Sequence, residues 1–152
     1  VGVGTGTNTF LMGYLAAGDD GLNLRIVVAA VGVALLLLSL YPVSQVFQMD
    51  EDAARGDRGF AVTYGLEGVK RFFAVSYPSG LLLASFPLAL VRPALGLGLA
   101  LAGGVGGWLT GRTVLRLQGT PGEYRTVMRL KYGASVAFVL FTTAALLGTT
   151  PR

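Results

Sequence analysis

Hydrophobic residues fall in long runs set apart by short polar segments, a pattern that predicts membrane-spanning helices. From Leu24 to about Phe47 the sequence is nearly unbroken hydrocarbon, and at about 1.5 Å per residue such a helix reaches roughly 35 Å, enough to cross a bilayer core. Phe72 to Val91, Ala94 to Gly111 and Tyr132 to Gly148 form three further apolar stretches, and residues 3 to 17 read as the tail of another helix. Between them lie the Gly18 to Gly21 turn (GDDG), a polar segment from Gln48 to Arg58, the Arg92-Pro93 break, and a basic connection from Arg112 to Lys131 containing the turn Gly119-Thr120-Pro121-Gly122. The expected fold is an all-α, polytopic transmembrane bundle of about five helices in a single membrane domain. Its first helix is cut into: the chain opens at Val1 inside an apolar stretch, so it reads as a fragment of a longer protein.

The spacing of small and imino residues refines this picture. Gly103, Gly107 and Gly111 stand four apart along one helical face, which predicts close helix approach. Pro78 and Pro87 are expected to kink the Phe72 to Val91 span. The opening glycines fit neither a dinucleotide nor a P-loop spacing. Asn8 reads as a helix–helix hydrogen-bonding group.

Composition agrees with solution in lipid: 53% of the 152 residues are hydrophobic and only 13% are charged, against about a quarter charged in an ordinary soluble domain. Mean hydropathy is +0.63. The absence of both histidine and cysteine excludes Ser/His/Asp and Cys/His catalytic sets, thiolate zinc sites and disulfides. Chemistry is left to carboxylates, amides, hydroxyls, Lys/Arg or a hard metal ion. A net charge of +4 does not argue for a nucleic-acid partner.

The cations are unevenly placed. Arg55, Arg58, Lys70, Arg71, Arg112, Arg116, Arg125, Arg129 and Lys131 fall on one side of the alternating spans, and Arg25, Arg92 and Arg152 on the other. By the positive-inside rule the segments 48 to 71 and 112 to 131 are cytoplasmic. The basic connection then has two readings: orientation by anionic lipid headgroups, or a cap on a diphosphate pocket by Arg112 and Arg116, which share a helical face.

The segment Tyr41 to Gly65 carries the candidate chemistry. Asp50, Glu51, Asp52, Asp57 and Arg58 crowd together directly after a hydrocarbon helix. If that helix continues, Gln45, Gln48 and Asp52, spaced three and four apart, share a face with Tyr41. Such a face at the membrane boundary is costly unless it meets a cavity, a metal ion or other helices. Carboxylates suit Mg²⁺, and an arginine fork suits phosphate. The plainer reading is a solvated loop, and Tyr41 is equally well an interfacial tyrosine.

The order Tyr-Pro-x-x-Gln-x-x-Gln-x-x-Glu-Asp-x-x-x-Gly-Asp-Arg, from Tyr41 to Arg58, resembles the second acidic motif of the UbiA superfamily of intramembrane prenyltransferases. In that resemblance Gln48 stands at the first aspartate of a D-x-x-x-D signature, Asp52 at the second, Gly56 at the following glycine and Arg58 at the basic residue. Gln48 brings no charge, and Gly59 replaces a small hydroxyl residue. The resemblance implies the C-terminal half of a nine-helix fold, with the first acidic motif upstream of Val1, so that the fragment is inactive alone. It also implies an enzyme of a bacterial or archaeal inner membrane, of the kind used in quinone biosynthesis. Such an enzyme transfers a prenyl group from a polyprenyl diphosphate to an aromatic or lipid acceptor with Mg²⁺. The implied metal ligands are Asp52 with Asp50 or Glu51; Arg58 binds diphosphate, Gln45 and Gln48 orient it, and Tyr41 lines the cavity. The rival reading is half of a transporter or channel with a polar helix face.

Overall fold

A computed structural model of the protein describes residues 2–16, 21 and 23–149. Every described element is helical: α1 (Gly2–Ala16), α2 (Leu24–Gln45), α3 (Met49–Ala54), α4 (Phe60–Val91), α5 (Pro93–Val114) and α6 (Tyr124–Thr149), with single 3₁₀ turns at Val46–Gln48 and Pro121–Glu123. Since α2 passes into α3 through the first of these turns, the bundle has five principal helices. The stretches Leu24–Ala54, Phe60–Val91 and Pro93–Val114 are each long and apolar enough to cross a membrane. The protein is an integral membrane protein. Most of the Gly18 to Gly21 turn, and Arg152, lie outside the described residues.

Each boundary has a local cause. At the start of α2 the Asn23 side chain accepts hydrogen bonds from the backbone N–H groups of Arg25 (3.0 Å) and Ile26 (3.2 Å), satisfying donors that a helix start leaves open. α3 stops at Gly56, whose φ of +81° favours glycine. There Gly56 N–H donates to the Ala53 carbonyl and Asp57 N–H to the Asp52 carbonyl, the paired bonds of a glycine-terminated helix. Pro93 opens α5 at a position where its missing N–H costs nothing.

Two expectations change. α4 begins at Phe60 and runs on through the apolar span from Phe72; its one departure from helical geometry is Gly65, at φ 65° and ψ −176°, while Pro78 and Pro87, expected to kink it, keep helical backbone angles. α6 likewise begins at Tyr124, upstream of the apolar run from Tyr132.

α2, α4 and α5 pack antiparallel through glycine notches. A Cβ on Gly80 would stand 2.8 Å from the Gly32 carbonyl oxygen and the Leu36 nitrogen, so α2 and α4 touch backbone to backbone. The stripe Gly103, Gly107 and Gly111 receives Leu81, Tyr77 and Phe73 of α4 in turn, and the Tyr77 hydroxyl donates to the Gly103 carbonyl at 3.0 Å. Inside the layer lie small hydroxyl residues, Ser39, Ser76 and Ser85, while Leu82, Phe86, Leu97, Leu101 and Val105 are exposed. Large apolar groups outward and small ones inward is the arrangement that lipid favours.

At one end a compact apolar cluster of Val43, Val46, Ala61, Val69, Phe73, Val114, Leu117 and Val127 ties α2, α4, α5 and α6 together. The antiparallel course brings Arg25 and Arg92 to the opposite end, so the more basic segments, 48–71 and 112–131, sit with this cluster. They form the polar end of the molecule.

Candidate functional site

The continuation of α2 through a 3₁₀ turn into α3 carries the acidic segment out on a helix. Because a 3₁₀ turn advances the chain by three residues per turn rather than 3.6, it rotates α3 relative to α2, and the predicted single face is divided. Gln45 is half-buried and Asp52 keeps only 18% of its side chain exposed. Tyr41, Gln48, Asp50, Glu51 and Arg58 are exposed.

The Asp52 carboxylate accepts a 2.6 Å hydrogen bond from Arg55, which also lies 3.7 Å from Asp57. That hydrogen bond leads the causes that raise the Arg55 guanidinium above its ordinary range. Arg58, by contrast, has no ion-pair partner among the described residues. The segment 50–58 presents four carboxylates against two guanidiniums, so a bare diphosphate approaching it is repelled unless a cation accompanies it.

Among the described residues no three acidic side chains come together where a metal ion could sit. Asp50 and Glu51 are exposed, whereas the Asp52 side chain is largely covered. The donors that face inward are Asp52 and Gln45, whose Oε1 is buried without a hydrogen-bond partner. A buried carbonyl oxygen left unpaired costs about 1–3 kcal/mol, and a cation or a metal-bound water would satisfy it. An amide oxygen and a carboxylate are donors of the kind Mg²⁺ takes alongside water and phosphate oxygens.

No family model, curated protein or solved structure matches this chain. The fold and the polar end are thus to be read on their own geometry.

Lys131, Lys70 and Gly59, which the sequence places on this side, have contacts that the spacing of residues did not reveal. Lys131 of α6 is half-buried and donates to the Ser44 hydroxyl of α2 at 2.8 Å. Lys70 keeps only 16% of its side chain exposed and donates to Glu67 at 2.8 Å. Gly59 lies against Gln45, with a Cβ there 3.9 Å from the Gln45 Nε2. Its extended backbone (φ −68°, ψ 168°) leaves room for the small hydroxyl residue that the motif prefers. The Ser44 to Lys131 link joins residues far apart in sequence, so only the packing of α6 on α2 exposes it.

The basic connection folds back over the same end. Gly119, at φ +81°, lies beside Val46 and Leu66. Tyr124 meets Phe47 edge to face with ring centroids 5.6 Å apart. Glu123 accepts backbone hydrogen bonds from Gln118 (3.1 Å) and Thr120 (2.9 Å), closing a capping box with Thr120. Partial desolvation pushes the Glu123 carboxyl up, but these backbone bonds, with help from the Thr120 side chain and Gly119, outweigh it and hold the group below its usual range.

Proposed function

We propose that this chain is part of a UbiA-like intramembrane prenyltransferase, which moves a prenyl group from a polyprenyl diphosphate to an aromatic or lipid acceptor. The observation that carries this reading is the unbroken helical path from Leu24 to Ala54. Along it the motif rides on a helix end rather than on a solvated loop, with Asp52 and Gln45 turned inward. The excess of cations at the polar end favours the cytoplasm for it.

Within this reading Asp52 and Gln45 form the protein's edge of the cation site, and Mg²⁺ when bound would neutralise the diphosphate and favour its departure as a leaving group. Arg55 holds the Asp52 carboxylate in place. Arg58, exposed and unpaired, is the fork that reaches the phosphate oxygens. Gln48 is exposed one helical turn before Asp52, and Tyr41 lies nearer the lipid. Gly56 acts earlier in the chain of causes, ending α3 so that Arg58 and Gly59 turn back towards α4.

A transporter reading finds less support. Three of its candidate interior hydroxyls, Ser39, Ser76 and Ser85, are spent on carbonyls of their own helices, at 2.6, 2.6 and 2.7 Å.

The test is Mg²⁺-dependent release of diphosphate in membranes that contain the intact protein. Asp52→Asn should abolish it, Asp50→Asn and Glu51→Gln should leave most of it, and Arg58→Ala should chiefly raise KM. Full turnover in Asp52→Asn would rule out the assignment.

A further inference from the structure

The polar end carries a concavity of about 450 Å³, which Gln45 and Asp52 do not line. Arg112 and Thr113 of α5, Arg116 and Leu117 of the connection and Thr126 of α6 form it together with Leu109 and Glu123. Two guanidiniums four residues apart face one hollow beside two hydroxyls. Among the described residues neither arginine pairs with a carboxylate. The acceptors of Glu123 are directed to the backbone of Gln118 and Thr120.

Arg112 is fixed in place by stacking on Trp108, its Cζ 4.7 Å from the ring centroid. Such stacking leaves the in-plane N–H groups of the fork pointing away from the ring, available for an oxyanion. Apolar surface adjoins the hollow and faces outward: Leu109, which lines it, is 52% exposed, and Trp108, beneath Arg112, is 60% exposed. Counting along α5, Arg112 lies about 29 Å from Pro93, close to the thickness of the hydrocarbon core. The guanidiniums thus stand at headgroup depth, while Trp108 and Leu109 stand one turn deeper, against acyl chain.

We infer that this cleft binds the phosphate headgroup of an anionic membrane lipid, with the acyl chain along Trp108 and Leu109. The ligand's shared chemistry is a phosphate ester; the outward apolar wall assigns it to a lipid rather than to a soluble phosphate. The inference stands apart from prenyl transfer, since none of the residues proposed for that reaction lines this cleft.

Trp108 is the only tryptophan in the chain and serves as the probe. The full chain is reconstituted in phosphatidylcholine vesicles containing either brominated phosphatidylglycerol or brominated phosphatidylcholine at equal fraction, and quenching of Trp108 emission is measured. Attraction of about 1 kcal/mol per arginine corresponds to about fivefold enrichment for each, so the anionic lipid should quench at several-fold lower fraction. Arg112→Gln with Arg116→Gln should abolish the preference. Arg125→Gln with Arg129→Gln, which removes equal charge from α6 outside the cleft, should retain it and verifies that the bundle still presents Trp108 normally. Equal quenching by both lipids in the wild type overturns the proposal. So does an equal loss in the two double variants, which would mean surface potential alone, or displacement of the preference by millimolar inorganic phosphate, which would mean a soluble ion.

Discussion

The α2–α4–α5 layer and the polar end beneath it hold together by different contacts. In the layer, glycines let backbone meet backbone, as at Gly32 and Gly80, or admit a side chain, as Gly107 admits the Tyr77 ring. At the polar end, side chains reach across elements: Lys131 to Ser44, Phe47 to Tyr124, Gly119 against Val46 and Leu66. The first kind of contact leaves no room for added atoms. The second tolerates changes of shape but depends on charge and hydrogen-bonding partners. Rigid scaffold and adjustable end are thus built from the same helices, a turn or two apart.

The largest effect expected from this contrast is steric. Gly80→Leu drives a side chain into the Gly32 carbonyl and should cost about 3 kcal/mol or more, seen as loss of monodisperse protein and a collapse of Tm in detergent. Gly104, on the same helix as the α5 stripe, has no neighbour within 4 Å of a Cβ. Gly104→Ala should therefore be neutral or stabilising by about 0.4–1 kcal/mol; equal damage from both variants would remove the contrast.

A smaller effect comes from Tyr77→Phe, which keeps the ring in its notch and deletes only the hydroxyl bond to Gly103. It should lower stability by about 0.6–1 kcal/mol in thermal unfolding.

Smallest is the pH response of the connection. Because the folded Glu123 carboxyl is held below its ordinary value, its contribution is present at neutral pH and is lost as pH falls through that lowered value. The Tm difference between wild type and Glu123→Gln should accordingly be visible near neutrality and close under acid; a gap that persists at low pH would assign the effect to packing.

How far the sequence foretold these features varied with the kind of signal. The span beginning at Leu24 and the break at Arg92-Pro93 were plain from hydropathy and proline alone, and the glycine stripe of α5 was legible as a face. Its partners Phe73, Tyr77 and Leu81 were not, because pattern gives a face without saying what it meets. Hydropathy alone marked α4 only from Phe72, because residues 60–71 mix Lys70 and Arg71 with Ala61 and Val69, which are buried; the order of residues after Arg58 is what pointed to a helix start near Ala61. The helix break fell at Gly65 rather than at Pro78 or Pro87, since a positive φ favours glycine, whereas a proline inside an apolar bundle can keep helical angles. At the candidate site, the continued helix was foreseen only conditionally, and the 3₁₀ turn Val46–Gln48, which lies between Gln45 and Asp52, has no sequence marker. The cleft at Arg112 and Arg116 was half legible, as two arginines on one face, but its walls come from three separate elements.

The central claim, that a prenyl diphosphate sits over the inward side of the α2–α3 junction, can be tested by labelling, since the chain contains no cysteine. Gln48→Cys and Asp57→Cys are introduced separately into the intact protein, and modification by a water-soluble maleimide is timed with and without geranylgeranyl diphosphate and Mg²⁺. The account predicts that the pair of ligands slows labelling at 48, one turn before Asp52, and leaves 57 unchanged; identical rates at 48 with and without them would contradict it.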